Sequence, residues 1–247
     1  MEPEMHQEAK DFSSIKAVFF DAGGTLLYPF PSVGIIYRDV AARYGCQAEA
    51  EHLEFLFRQA WLKRDGMTAL VSHSSEKKEK DWWHSLVHEV FTQVGEVRDF
   101  EAFFNELYEI FGRPEVWRLY PGTLEVLEAL NKKGKKVGIV SNWDSRLFQL
   151  CKGLKLEDHV DFILASAVFG AAKPNMKIFQ AALAKAGVKP HEAVHVGDSV
   201  EDDISGARAA GLEALLINRH PERDHHQQPA LNGVGVIEEL GDLLALL

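Results

Sequence analysis

Short β-branched and aromatic runs recur along the chain, each stopping at a glycine-bearing or polar loop. Lys16–Phe20 (KAVFF) runs into Asp21-Ala22-Gly23-Gly24. Lys136–Val140 (KVGIV), Phe162–Ala165 (FILA) and Ala193–Val196 (AVHV) have the same form, with a weaker run at Ala214–Ile217 (ALLI). Such bounded runs predict buried strands. Between them, apolar positions repeat at helical spacing. Gly122–Lys133 gathers Leu124, Val126, Leu127 and Leu130 on one face and ends at Gly134. Asn175–Ala186 does the same with Ile178, Phe179, Ala182 and Leu183 and ends at Gly187, and the alanine-rich Asp203–Ala210 ends at Gly211. Strands alternating with helices predict an α/β fold with a doubly wound parallel sheet.

The stretch from Pro29 to Arg118 breaks this alternation. It contains no convincing strand but carries long amphipathic patterns, as in Glu51–Leu62 and Phe100–Phe111, and Trp61, Trp82, Trp83 and Trp117 fall within it. A helical insertion between the first strand and the rest of the sheet is expected, with hinges at Pro29–Pro31 and Arg118–Gly122. The polar run Ser72–Asp81 reads as a solvated loop, as does His220–Pro229 with its paired His225 and His226.

Composition changes the picture mainly by exclusion. The 247 residues are 46% hydrophobic and 26% charged, the profile of a globular protein, with a net charge of −10. That acidity argues against nucleic acid as a partner, while leaving room for a small metal-bound anion. Two cysteines, Cys46 and Cys151, exclude a disulfide scaffold and a four-cysteine zinc site. The first ten residues are polar, with no apolar signal core, and the apolar runs fall well short of the ~20 residues of a membrane span. A cytoplasmic setting without membrane association is the expectation; oligomeric state is not readable.

In doubly wound sheets ligands sit at the carboxyl ends of the strands. The polar residues placed there are, strand by strand, Asp21 and Thr25, then Ser141 and Asn142, then Lys173 beside Pro174, then Asp198, Ser199 and Asp203. Three carboxylates, a hydroxyl and an ammonium therefore converge on one sheet edge. Clustered carboxylates need a cation, and hard oxygen ligands suit Mg²⁺ with a phosphoryl group as companion. Asp21 is then available for in-line attack. Lys173 lies in a loop and Ser141 just past a strand, so neither is expected on a core face.

With these residues in place, the sequence resembles the haloacid dehalogenase-like hydrolases. Asp21-Ala22-Gly23-Gly24-Thr25-Leu26, Val140-Ser141-Asn142, Lys173-Pro174 and Gly197-Asp198-Ser199 with Asp203 match that family's four motifs in order, and Ser141–Arg146 narrows the likeness to one branch. The resemblance implies a Rossmann-like core, residues 1–29 and 119–247, and an inserted helical cap domain, residues 30–118. It implies Asp21 as the nucleophile forming an aspartyl-phosphate and Ser141 and Lys173 as phosphoryl contacts, with Thr25 and Asn142 as supporting, substrate-side positions. It implies Mg²⁺ held by Asp21, the Gly23 carbonyl and Asp198, with Asp203 binding through water or orienting Lys173. A small phosphorylated molecule is the implied substrate.

One position departs. Phosphatases of this family carry an acid/base aspartate two residues after the nucleophile, where this chain has Gly23. Such a group contributes about 10²–10⁴-fold, so ordinary phosphate esters are expected to suffer. Two other readings stay open: cleavage of a carbon–halogen or carbon–phosphorus bond, with Lys63 as the nominee for a phosphonatase lysine, and a catalytically weak phosphate- or partner-binding protein. His84 and Asp65 are nominees for a replacement proton donor.

Overall fold

The computed structural model describes residues 12–64, 75–219 and 231–247. In chain order the elements are β1 (Ala17–Phe20), β2 (Leu27–Pro29), α1 (Val33–Arg43), α2 (Ala50–Lys63), α3 (Glu76–Phe91), α4 (Phe100–Phe111), β3 (Trp117–Leu119), α5 (Thr123–Lys132), β4 (Lys136–Ser141), α6 (Arg146–Gly153), β5 (Phe162–Ala165), α7 (Ser166–Phe169), α8 (Met176–Ala186), β6 (Ala193–Gly197), α9 (Gly206–Ala209), β7 (Glu213–Ile217), β8 (Gly235–Ile237) and α10 (Leu243–Leu246). Six strands form one parallel sheet in the order β5-β4-β1-β6-β7-β8.

The period-two alternation of each strand splits its side chains between two faces. Val18, Phe20, Val137, Ile139, Val194 and Val196 pack with Val126, Leu127 and Leu130 of α5 and Leu147 and Leu150 of α6. Ala17, Phe19, Val140, Ala193 and Leu216 face the other way, onto Ile178, Phe179 and Leu183 of α8. Both faces are covered, which explains why the strands read as continuous apolar runs. The five strands expected from the sequence are present. β8 was not expected; its three residues, one of them a glycine, carry almost no pattern.

Helices α1 to α4 stand between β2 and β3 and build a separate core from Tyr37, Leu53, Leu86, Val90, Phe103 and Phe104. Burying each such side chain contributes about 1.5–3 kcal/mol. The two chain crossings pair as an antiparallel ribbon, with Leu27 opposite Leu119 and Pro29 opposite Trp117. The ribbon corrects the expectation that this stretch holds no strand, and three-residue strands leave too little alternation to read.

The Ser72–Asp81 loop is also corrected in part. Ser75 caps α3 by accepting from the Lys78 N–H, and Glu76 to Asp81 are its first turns, supported by a Lys77–Asp81 pair at 2.7 Å. Glutamate and lysine are good helix formers, so polarity alone did not mean loop. Residues 72–74, Asp65, His225 and His226 lie outside the described residues, as does the N-terminal segment through residue 11. No helix among the described residues is long and apolar enough to cross a membrane.

Candidate active site

β1 delivers Asp21 to the centre of the sheet edge, flanked by β4 and β6. The Asp21 N–H donates to the Val196 carbonyl at 2.9 Å, which ties the residue to the neighbouring strand, and the chain then turns back sharply as Leu26 and Leu27 donate to the Ala22 carbonyl. Gly24 is required in that turn. Its φ is +79°, and a Cβ there would lie 2.5 Å from an Asp198 carboxylate oxygen.

The Asp21 Oδ1 accepts from Ser141 Oγ at 2.9 Å and from Lys173 Nζ at 2.6 Å. Lys173 Nζ also donates to Asp203 Oδ1 at 2.5 Å, so one ammonium bridges two carboxylates. Both Ser141 and Lys173 are buried, at 2% exposure each. Ser141 is the last residue of β4 and pairs with Ala165, so it is part of the sheet itself.

Asp203 is saturated. Besides Lys173, its Oδ1 faces His195 Nε2 at 2.8 Å, and its Oδ2 accepts from the Ser199 N–H at 3.0 Å. These contacts favour the orienting role for Asp203. Asp198 differs: among the described residues no salt bridge reaches it, and it is the member of the trio that keeps solvent contact. Ligand oxygens of Asp21, Asp198 and Asp203 all lie within 4.8 Å of one another. Three hard carboxylates converging at that spacing fit a divalent cation of the Mg²⁺ type.

The electrostatics follow from the crowding. Burial raises Asp21, with Asp203 adding to the effect and Lys173 opposing it. Partial desolvation in the cleft, then the charges of Asp21 and Asp203, push Asp198 up to about 8. Burial alone would raise Asp203, but Lys173 and His195 hold it well below the usual carboxylate range. Burial works against the Lys173 charge, yet Asp203 and Asp21 outweigh it and keep the ammonium protonated. Burial lowers His195, which favours the neutral ring; Nε2 faces Asp203, and Nδ1 has no partner among the described residues.

Asn142 lines the cavity over Asp21, whereas Thr25 does not. The Asn142 side chain grips the Lys173 backbone in both directions, accepting from its N–H at 2.8 Å and donating to its carbonyl at 2.9 Å. Thr25 is fully buried away from the pocket, its hydroxyl has no partner among the described residues, and its carbonyl accepts from Arg219 at 2.7 Å.

A cavity of about 960 Å³ opens over Asp21, Ser141, Lys173 and Asp198. Its walls carry Trp61, Trp83 and Phe111 from the helical insertion and Trp117, Tyr120 and Trp143 from the core side. The insertion is clasped to the loop after β4. Trp83 Nε1 donates to Asp144 Oδ2 at 2.7 Å, and Glu79 accepts from both the N–H and the hydroxyl of Ser145, at 3.2 and 2.5 Å. Arg146 pairs with the fully buried Asp144, donates to the Tyr108 carbonyl at 3.0 Å, and stacks 4.0 Å over the Tyr108 ring.

None of this clasp, nor His195, was expected from the sequence. Only His195 left a trace there, as a polar residue inside the run before Gly197-Asp198. The nominees Lys63 and His84 are placed elsewhere: Lys63 is exposed and pairs with Glu89 at 2.9 Å, and His84 pairs with Glu101 at 2.8 Å outside the cavity lining.

The haloacid dehalogenase-like hydrolase model matches residues 15–211. The chain belongs to the haloacid dehalogenase-like hydrolase family. Among its relatives, haloacid dehalogenase-like hydrolase domain-containing protein 3 of Bos taurus is 34% identical over 206 residues, 82% of either chain. A glyceraldehyde 3-phosphate phosphatase of Methanothermobacter thermautotrophicus is 36% identical over 135 residues, 53% of this chain and 59% of that one. A solved dehalogenase with an intermediate complex superposes with a TM-score of 0.73 at 27% identity, covering 96% of this chain and 98% of the other. This haloacid dehalogenase-like chain is thus a hydrolase, and both a phosphatase and a dehalogenase stand among the proteins it resembles.

Proposed function

We propose that the protein is a Mg²⁺-dependent phosphohydrolase that acts on a small phosphorylated molecule through an aspartyl-phosphate on Asp21. The observation that carries this reading is the pair of extra carboxylates, Asp198 and Asp203, within 4.8 Å of Asp21. Lys173 compensates Asp203, but Asp198 has no ion-pair partner among the described residues, and a carbon–halogen hydrolase has no use for such an anion, which repels Asp21 and the approaching haloacid.

Asp21, the Gly23 carbonyl and Asp198 would hold the cation, with Asp203 close behind. When bound, the metal supplies charge neutralisation for phosphoryl oxygens and for the carboxylates around them. Everything else comes from the chain. Ser141 and Lys173 orient Asp21 and receive the phosphoryl oxygens, Asn142 fixes the Lys173 backbone, and His195 with Asp203 fixes its ammonium. The helical insertion, residues 30–118, acts as the cap that excludes water. Gly23 supplies no proton donor, so departure of the leaving group is unassisted.

The missing donor also favours a second reading, dehalogenation, because halide leaves without a proton. Orthovanadate binding with and without Mg²⁺ separates the two. The phosphohydrolase reading expects Mg²⁺-dependent binding that Asp198→Asn abolishes. Metal-independent turnover of a 2-haloacid, with no vanadate binding, overturns it.

A further inference from the structure

Gly23 has no backbone reason to be glycine, because it is absent from the positive-φ positions of the chain. It has a spatial one. A Cβ at this position would lie 3.0 Å from Trp143 Cζ3 and 3.8 Å from Cη2, so the indole edge already occupies the side on which a larger residue would project. Trp143 is itself held in place. Its ring packs on Trp117 at 5.1 Å, its carbonyl accepts from the Ala167 N–H at 3.1 Å, and the next two residues are gripped by Trp83 and Glu79 of the insertion. Around it the cavity wall continues in Trp61, Trp83, Phe111 and Tyr120. The Tyr108 hydroxyl in that wall is buried without a partner among the described residues and is pushed up to about 12, too weak an acid to replace a carboxyl donor.

We propose that Trp143 is the specificity-determining residue of this site, filling the place of a proton donor with an apolar wall and restricting substrates to phosphoryl compounds with a flat, apolar leaving group that departs as an anion. An aryl phosphate is the simplest such compound. The proposal rests on the phosphohydrolase reading above. In the first step a bond forms between an Asp21 carboxylate oxygen and phosphorus, and the phosphorus–aryl oxygen bond breaks with its electron pair on the leaving aryl oxide. No proton moves. In the second step a water oxygen attacks phosphorus, the bond to Asp21 breaks with its pair returning to the carboxylate, and the water proton passes to solvent. An alkoxide is far more basic and needs the donor that Trp143 displaces.

A double-mutant cycle on the intact protein tests this with two separate readouts. Gly23→Asp alone should lower Tm by more than ~2 °C and gain no activity on alkyl phosphates, because its Cβ would press on the clamped Trp143 ring and turn the carboxyl away from the leaving group. Trp143→Ala alone should raise KM for an aryl phosphate ~10–200-fold, the range of a lost pocket contact, while leaving KM for an alkyl phosphate nearly unmoved. The double variant should recover most of the Tm lost in Gly23→Asp and gain ~10²–10⁴-fold on alkyl phosphates over Trp143→Ala. If Gly23→Asp does not fold, Gly23→Ala carries the same thermal coupling. Additive Tm changes, or Gly23→Asp working equally well with Trp143 present, would overturn the proposal. Turnover of no ester by any variant, together with loss of vanadate binding, would overturn the phosphohydrolase reading and the substrate class with it, whereas the Tm coupling reports on Trp143 alone.

Discussion

The floor and the wall of one cavity are built on opposite principles. The floor is ionic: Lys173, 2% exposed, bridges two buried carboxylates, and every partner comes from the end of a parallel strand or the loop after it. The wall is aromatic, contributed largely by helices whose other faces form their own core around Tyr37, Phe91 and Phe103. Buried ions are costly unless paired, so the floor tolerates almost no change of residue type. Aromatic walls tolerate volume-conserving exchange. Chemistry is therefore fixed in the floor and selectivity is adjustable in the wall.

The contrast breaks most visibly at Lys173. Lys173→Met should cost about 3–5 kcal/mol in metal-free protein, because Asp21 and Asp203 lose their shared cation; urea unfolding reads this directly. A cost below ~1 kcal/mol would mean that the floor is no more constrained than the wall.

Next in size is the coupling to pH and metal. The raised Asp198 is a group that stabilises when protonated, so its contribution is full at acid pH and is lost as pH rises from the usual carboxylate range through about 8. The depressed Asp203 acts oppositely, giving stability that is lost as pH falls below the usual range. Metal-free protein should therefore lose stability between about pH 4 and 8. Mg²⁺ at 100 times its dissociation constant should restore ~2.7 kcal/mol. Asp198→Asn should flatten the profile and remove the metal response.

The clasp between wall and floor comes third. Asp144→Asn keeps an acceptor for Trp83 but removes the charge that pairs with Arg146, and should cost about 1–3 kcal/mol in thermal or chemical unfolding. The smallest effect belongs to the wall alone. Tyr108→Phe deletes a buried hydroxyl that has no partner among the described residues, so its Tm should stay level or rise.

The same contrast decides what could be read from the sequence. Asp21, Ser141, Lys173, Asp198 and Asp203 announced themselves because polar residues closing apolar runs have few structural reasons to be there. The five longer strands and the covering helices α5 and α8 were legible for the same reason, as runs and periodicities of adequate length, whereas α6, eight residues long, was not. Trp83, Asp144 and Arg146 were not, since an aromatic on an amphipathic helix reads as core and a short-range ion pair reads as surface. The Trp143–Gly23 contact joins residues 120 positions apart, with no periodicity to connect them. The ribbon of β2 and β3 was too short to alternate, and the first turns of α3 read as loop because their polar face dominates.

Phosphoryl transfer to Asp21 without a proton donor is the central claim. Rapid mixing of Mg²⁺-loaded protein with an aryl phosphate should release a burst of aryl oxide approaching the enzyme concentration, followed by slow turnover as the aspartyl-phosphate waits for unassisted water. Asp21→Asn should show neither phase. Linear release from the first turnover, with alkyl phosphates cleaved as readily as aryl ones, would contradict it.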